Sequence, residues 1–121
     1  MQIRSYQDLE VWQRAMELAL TCYRATEQFP RSETFGLASQ LQRAAVSVPA
    51  NIAEGRGRRS TGDFLRFLSI ASGSLAETET HLLLAHRLGY LPEERLQSLL
   101  VLTARIGRML NGLRRSLRCS E

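Results

Sequence analysis

Lysine is absent: all 16 basic side chains are arginine, set against 12 acidic ones, for a formal charge of +4. Arginine's planar fork suits bidentate contact with phosphate or carboxylate. A GC-rich genome would make the same exchange without any protein-level cause, so the absence by itself selects no function. Cysteine is scarce too. Cys22 lies inside an apolar helical pattern and Cys119 near the end of the chain, far apart and without metal-ligand spacing around either. Both are expected as free thiols, which excludes a disulfide scaffold and gives no reason to expect a metal or another cofactor. No run of about 18 apolar residues is there to span a bilayer. The opening MQIRSYQDLE lacks the apolar centre of a signal peptide, so a cytoplasmic protein without a membrane partner is expected. Strand-type alternation is also missing.

What is present is helical periodicity across 121 residues that are 44% hydrophobic, enough for one domain, 1–121, to bury a core without a staple. Breaks fall at Pro30–Ser32, Gly55–Ser60 and Gly89–Pro92, which cuts the chain into four helices. The first is expected over Tyr6–Gln28, with Leu9, Trp12, Met16, Ala19, Tyr23 and Thr26 on one stripe. FPRSE stops it, and Ser32 is placed to cap the next. The third opens at Ser60, where Ser60 and Asp63 resemble a capping box, and gathers Phe64, Phe67, Leu68, Ala71, Leu75, Thr78 and Leu82. Gly89 suits its C-terminal cap. Pro92 sits near the first turn of the fourth, whose Leu96, Leu99, Thr103, Ile106, Leu110, Leu113 and Leu117 form a long seam. Short connections make neighbours antiparallel, so the expected fold is all-α, an up-and-down four-helix bundle.

The second helix, about Glu33–Gly55, is apolar on more than one side. Leu37, Leu41, Ala44, Val48 and Ile52 form a core stripe. Ser39, Val46, Ala50 and Ala53 form a strip of small residues elsewhere, with Arg43, Ser47, Asn51 and Glu54 as a polar line between. A helix apolar on two sides is buried on two sides, and a second copy of the chain is the simplest cover, so self-association is expected. The alternative is that alanine and serine are tolerated at a mildly exposed position and need no partner. Pro49 removes a backbone bond inside this helix, and because the apolar phase continues across it, a kink is expected rather than a break.

Arginine clusters in two places. Arg56, Arg58, Arg59 and Arg66 surround the turn after the second helix, and Arg105, Arg108, Arg114, Arg115 and Arg118 crowd the fourth. These are the candidate nucleic-acid-binding residues. The turn is not a dinucleotide loop: Gly55-x-Gly57 lacks the third glycine and follows a helix where that motif needs a strand. It does lead into a helix N-terminus, where one backbone phosphate could sit. The competing reading is a solvated turn. Catalytic patterns are thin. Glu77 and His81 have Glu-x-x-x-His spacing once, where a di-metal bundle needs Glu-x-x-His on two helices plus further carboxylates, so they are expected as an intrahelical pair. His86 adds no second cluster, and no Gly-x-Ser-x-Gly elbow occurs. No catalytic residue is assigned.

The stretch RAAVSVPANIAEGRGR, followed by FLRFLSIASGSLAETETHLLLAHRLGYL, resembles the 23S rRNA intervening-sequence proteins, and the likeness runs from YQDLEVWQRAMELA to the leucine-rich last helix. The resemblance implies an antiparallel four-helix bundle assembled into a ring, a homopentamer in relatives, and a similarity to the accessory variability protein of diversity-generating retroelements, a basic barrel that binds reverse transcriptase and nucleic acid. The N-I-A-E-G signature falls on Asn51, Ile52, Ala53, Glu54 and Gly55, preceded by Arg43, Ser47 and Pro49. On physical grounds this signature is read as a structural polar seam rather than a ligand site, since the polar members step along one face and can satisfy one another, the carbonyl freed by Pro49, or a neighbouring helix. The third helix carries the family's phenylalanines at Phe64 and Phe67 and its G-S-L-x-E at Gly73, Ser74, Leu75 and Glu77, with Gly73 and Ser74 expected to allow close helix contact. The expectation is therefore a non-enzymatic homo-oligomer that binds RNA or DNA through arginine–phosphate contacts with low sequence specificity. The alternative is an adaptor that docks another protein, such as a reverse transcriptase.

Overall fold

In the computed structural model, which describes residues 5–119, a capped turn leads into four α-helices. Ser5 and Asp8 cap each other's backbone around the 3-10 turn Tyr6–Asp8, and extended Leu9 separates it from α1, Glu10–Thr26. The helices α2 (Leu37–Arg56), α3 (Thr61–Arg87) and α4 (Glu93–Cys119) follow. Met1–Arg4, part of the stretch read for a leader, lie outside the described residues, as do Ser120 and Glu121.

Cross-helix contacts show the direction of each pair. Gly55 lies against Phe64 and Phe67, and Ser47 meets Ser74, so numbers fall on α2 as they rise on α3. Arg114 reaches Ser72, Gly107 approaches Leu75 and Thr103 reaches Glu79, the same opposition for α3 and α4. Each helix packs on its sequence neighbours, and α4 returns to α1, as an up-and-down bundle requires.

The core stripes expected for α2, α3 and α4 are found, with Leu41, Val48, Ile52, Leu68, Ala71, Leu82, Ile106 and Leu110 sealed from solvent. Phe64, Leu113 and Leu117 are half-buried at the margin. For α1 the stripe is corrected. Its inward face is Val11, Ala15, Leu18, Ala19, Cys22, Ala25 and Thr26, while Met16 and Tyr23 are exposed and Trp12 lies at the edge against the Tyr6 ring. Small alanines let α1 approach its neighbours closely, and the large side chains are displaced to the rim.

The buried threonines of the bundle are satisfied. Thr103 donates to Glu79 at 2.6 Å, and Thr78 donates to the Ser74 carbonyl at 2.8 Å. The α3 terminus forms a Schellman motif: Gly89 and Tyr90 donate to the carbonyls of His86 and Ala85, and Gly89 has φ +85°, which favours glycine. At the start of α2 the expected cap is corrected. Ser32 lies in a 3-10 turn, Arg31–Glu33, and it is the Glu33 carboxylate that accepts from Leu37 N at 3.0 Å and from the Tyr90 hydroxyl at 3.2 Å. Helix α2 continues through Pro49 to Arg56 without a break.

Burial pushes the Cys22 thiol up to about 12, whereas Cys119 is exposed. A maleimide should label Cys119 rapidly and Cys22 only when the chain unfolds, which intact-mass analysis would show. Because the folded value lies above the unfolded value of 9.0, stability is full below pH 9 and falls as pH rises towards 12. The Cys22→Ala chain should lack that component of the alkaline decline.

Candidate functional site

The antiparallel register decides which arginines meet. The turn 57–60 joins the end of α2 to the start of α3, and the Arg114–Ser72 bond runs the last turns of α4 towards that same end. Arg56, Arg58, Arg59 and Arg66 are therefore gathered with Arg114, Arg115 and Arg118, two groups far apart in sequence. Between positions 54 and 66 the acidic residues are Glu54 and Asp63 alone. Arg105 and Arg108 lie earlier in α4, away from that end, and Arg105 is tied to Glu10 of α1 at 2.7 Å.

Within the cluster the arginines differ in how they are held. Arg58 bridges Glu54 one turn back at 2.8 Å, with its guanidinium carbon 4.8 Å from the centre of the Phe67 ring. Arg66 lies over the same ring at 4.6 Å. Arg59, Arg115 and Arg118 are exposed and make no hydrogen bond or ion pair among the described residues. Arg114 donates to Ser72 Oγ at 3.2 Å, and its Nε is buried without a partner among those residues. The N-terminus of α3 is partly occupied by its own residues: Ser60 Oγ accepts from Asp63 N at 3.1 Å, the first half of the expected capping box. The Asp63 carboxylate beside it opposes an incoming anion. Phosphate attraction at this end falls to the arginine side chains.

The polar line on α2 divides. Asn51 donates to both the carbonyl and the hydroxyl of Ser47, at 2.8 and 2.9 Å, and Ser47 meets Ser74 of α3 at 2.8 Å. These bonds link α2 to α3, and Asn51 bonds the Ser47 carbonyl and not the one freed by Pro49. Glu54 turns to Arg58 instead. Arg43 joins neither, and faces a cleft of about 500 Å³ lined by Gln40, Ala44, Ser47, Glu77 and His81. Glu77 and His81 form no ion pair with each other, which corrects the intrahelical pairing expected of them. His86 is engaged elsewhere, with Nδ1 on the Leu91 carbonyl and Nε2 on Glu93, both at 2.9 Å. Gly73 is also corrected: a side chain there would meet nothing within 4 Å, so only Ser74 of that pair touches a neighbouring helix. Among the described residues no group of three or more histidine, cysteine or acidic side chains is placed to hold a metal.

The second side of α2 is open. Val46 and Ala50 are exposed and Ser39 and Ala53 half-exposed. Val46 with Pro49 forms one wall of an apolar groove of about 350 Å³ whose other wall is Met16, Ala19, Leu20 and Tyr23 of α1. Of the small-residue strip read on α2, Val46 lines this groove and Ser39, Ala50 and Ala53 do not. The α1 wall was missed because Met16 and Tyr23 were assigned to the core, although the unclaimed Leu20 beside them was a signal. No described helix is long and apolar enough to cross a membrane.

A family model for 23S rRNA-intervening sequence proteins matches residues 7–112. The chain belongs to that family. Among solved structures it is similar to a protein of unknown function from the S23 ribosomal protein family of Bacteroides thetaiotaomicron, with a TM-score of 0.80 and 26% identity over 87% of this chain and 95% of that one. No curated protein matches it. The N-I-A-E-G segment thus lies within the matched region of a 23S rRNA-intervening sequence protein, and so do Arg58, Arg66 and Phe67. Arg114, Arg115 and Arg118 lie beyond it.

Proposed function

We propose that this 23S rRNA-intervening sequence protein is a non-enzymatic homo-oligomer that binds RNA or DNA through arginine–phosphate contacts. The observation that carries the reading is the gathering of seven arginines, two in the α2–α3 turn, one on each helix flanking it and three from the end of α4, at one end of the bundle. Contacts of this kind fix a backbone and read little sequence, so specificity should be low.

The groove and the small-residue strip on α2 support assembly. A heterologous contact repeated around an axis closes a ring, and five copies, the number implied by the resemblance, carry +20 at +4 each. A modest protomer charge then becomes a strong field around one ring. The same apolar groove also supports the adaptor reading, in which a different protein covers it and nucleic acid is incidental.

Salt separates the two. Three or more phosphate contacts should weaken binding to a mixed RNA pool by at least about tenfold between about 50 and 200 mM salt. An adaptor would show no salt-steep affinity for nucleic acid, and that result would retire the proposal.

A further inference from the structure

We infer that Phe67 is a positioning residue that mounts Arg58 and Arg66 as one preorganised phosphate-binding pair, and that this pair is the principal contact of the arginine end with a nucleic-acid strand. The inference rests on the nucleic-acid reading above and specifies its site.

The geometry has an unusual feature. Two guanidinium groups share a single ring, at 4.8 and 4.6 Å, and one carboxylate, Glu54, serves Arg58 alone. Arg66 has no hydrogen bond or ion pair among the described residues. Like charges drawn to one ring repel, and a ring quadrupole attracts each cation only modestly at an exposed site. A phosphate bound at each arginine offsets that repulsion and completes the donor forks that protein groups leave open. Successive phosphodiesters of one strand fit this demand.

Phe67 is itself fixed. It is 9% exposed, and Gly55 of α2 comes so close that a Cβ there would lie 2.8 Å from the Phe67 Cβ. The ring is therefore a rigid mount. Arginine carries about 2 kcal/mol of rotamer freedom, and binding a phosphate with a freely moving side chain costs part of it. Two arginines already resting on a ring lose less when the phosphate arrives. Arg59, in the same turn and equally charged, has no such support, and the pair should therefore contribute more than its share of the charge.

The test uses the full chain, a fluorescent 20-nucleotide single-stranded RNA and DNA of the same sequence, with anisotropy read across a salt series. Phe67→Leu removes the ring face and keeps every charge. Affinity for both strands should fall roughly three- to tenfold, while the slope of log affinity against log salt stays as in the parent chain, because the number of phosphates neutralised is the same. Phe67→Tyr, which keeps the ring, should bind like the parent. The double variant Arg58→Gln, Arg66→Gln should lower the slope by about 1.4, two phosphates on a single strand, and adding Phe67→Leu to it should change nothing further. Should Phe67→Leu not fold, Arg66→Gln against Arg59→Gln makes the comparison at exposed positions, and Arg66→Gln is expected to lose severalfold more.

Equal losses from those two single variants, or Phe67→Leu binding as the parent does, would overturn the mounting of the pair while leaving nucleic-acid binding intact. Absence of salt-dependent binding by the parent chain would instead overturn the underlying reading, and this inference with it.

Discussion

Replacing Gly55 with alanine should destabilise the bundle by about 2–3 kcal/mol, in the range of overpacked contacts, and lower its melting temperature by roughly 8–12 °C. Helix propensity predicts the opposite sign, since alanine in a helix interior is favoured over glycine by about 1 kcal/mol. Packing wins here because the new Cβ would stand 2.8 Å from Phe67 Cβ, 3.0 Å from Phe64 Cδ1 and 3.3 Å from the Phe64 carbonyl oxygen. A Cβ and a carbonyl cannot swing aside as a side-chain tip can, so α2 and α3 must separate at their joined end. Thermal unfolding of Gly55→Ala beside the parent checks this, and a melting temperature equal to or above the parent's contradicts it. Separation would also displace the Phe67 ring, so the same variant should bind nucleic acid more weakly even at temperatures where it is folded.

Reversing two charges in the turn should have the largest effect on binding. The double variant Arg58→Glu, Arg59→Glu should lose roughly a hundredfold in RNA affinity at about 0.1 M salt. Each phosphate contact on a single strand adds about 0.7 to the salt slope, so two of them are worth about 25-fold between 1 M and 0.1 M, and repulsion from two new carboxylates adds to that. Glu54 would then face a like charge at position 58, where it now holds Arg58 at 2.8 Å. That exposed pair contributes little to stability, so circular dichroism should show the helices retained. Unchanged binding by the double variant would remove the turn from the interface.

Much of the fold was legible because three of the four helices bury branched aliphatic residues on a regular stripe. Helix α1 was not, and the reason is physical. Its core face is built largely from Ala15, Ala19, Cys22 and Ala25, which a hydrophobic pattern ranks below Trp12, Met16 and Tyr23, yet close packing selects the small side chains. The Ser32 cap failed because a 3-10 turn intervenes, which moves the capping role to Glu33. At the site, the arginine clusters were visible as charge, but their meeting at one end depends on antiparallel register, and the shared Phe67 ring depends on the turn bringing Arg58 back over α3. Glu77, His81 and Arg43 illustrate the converse. Glu77 and His81 were spaced as a local pair and Arg43 stood in the polar line of α2, and the fold sets all three around one cleft instead.

The measurement that bears most directly on an oligomeric, phosphate-binding bundle is native mass spectrometry of the full chain with and without a mixed RNA pool. It should give an assembly at an integer multiple of the 13.7 kDa chain, five copies being the expected number, and on addition of RNA the same assembly with RNA bound, released again at raised salt. A monomer at micromolar concentration whose mass is unchanged by RNA would contradict both the assembly and its partner.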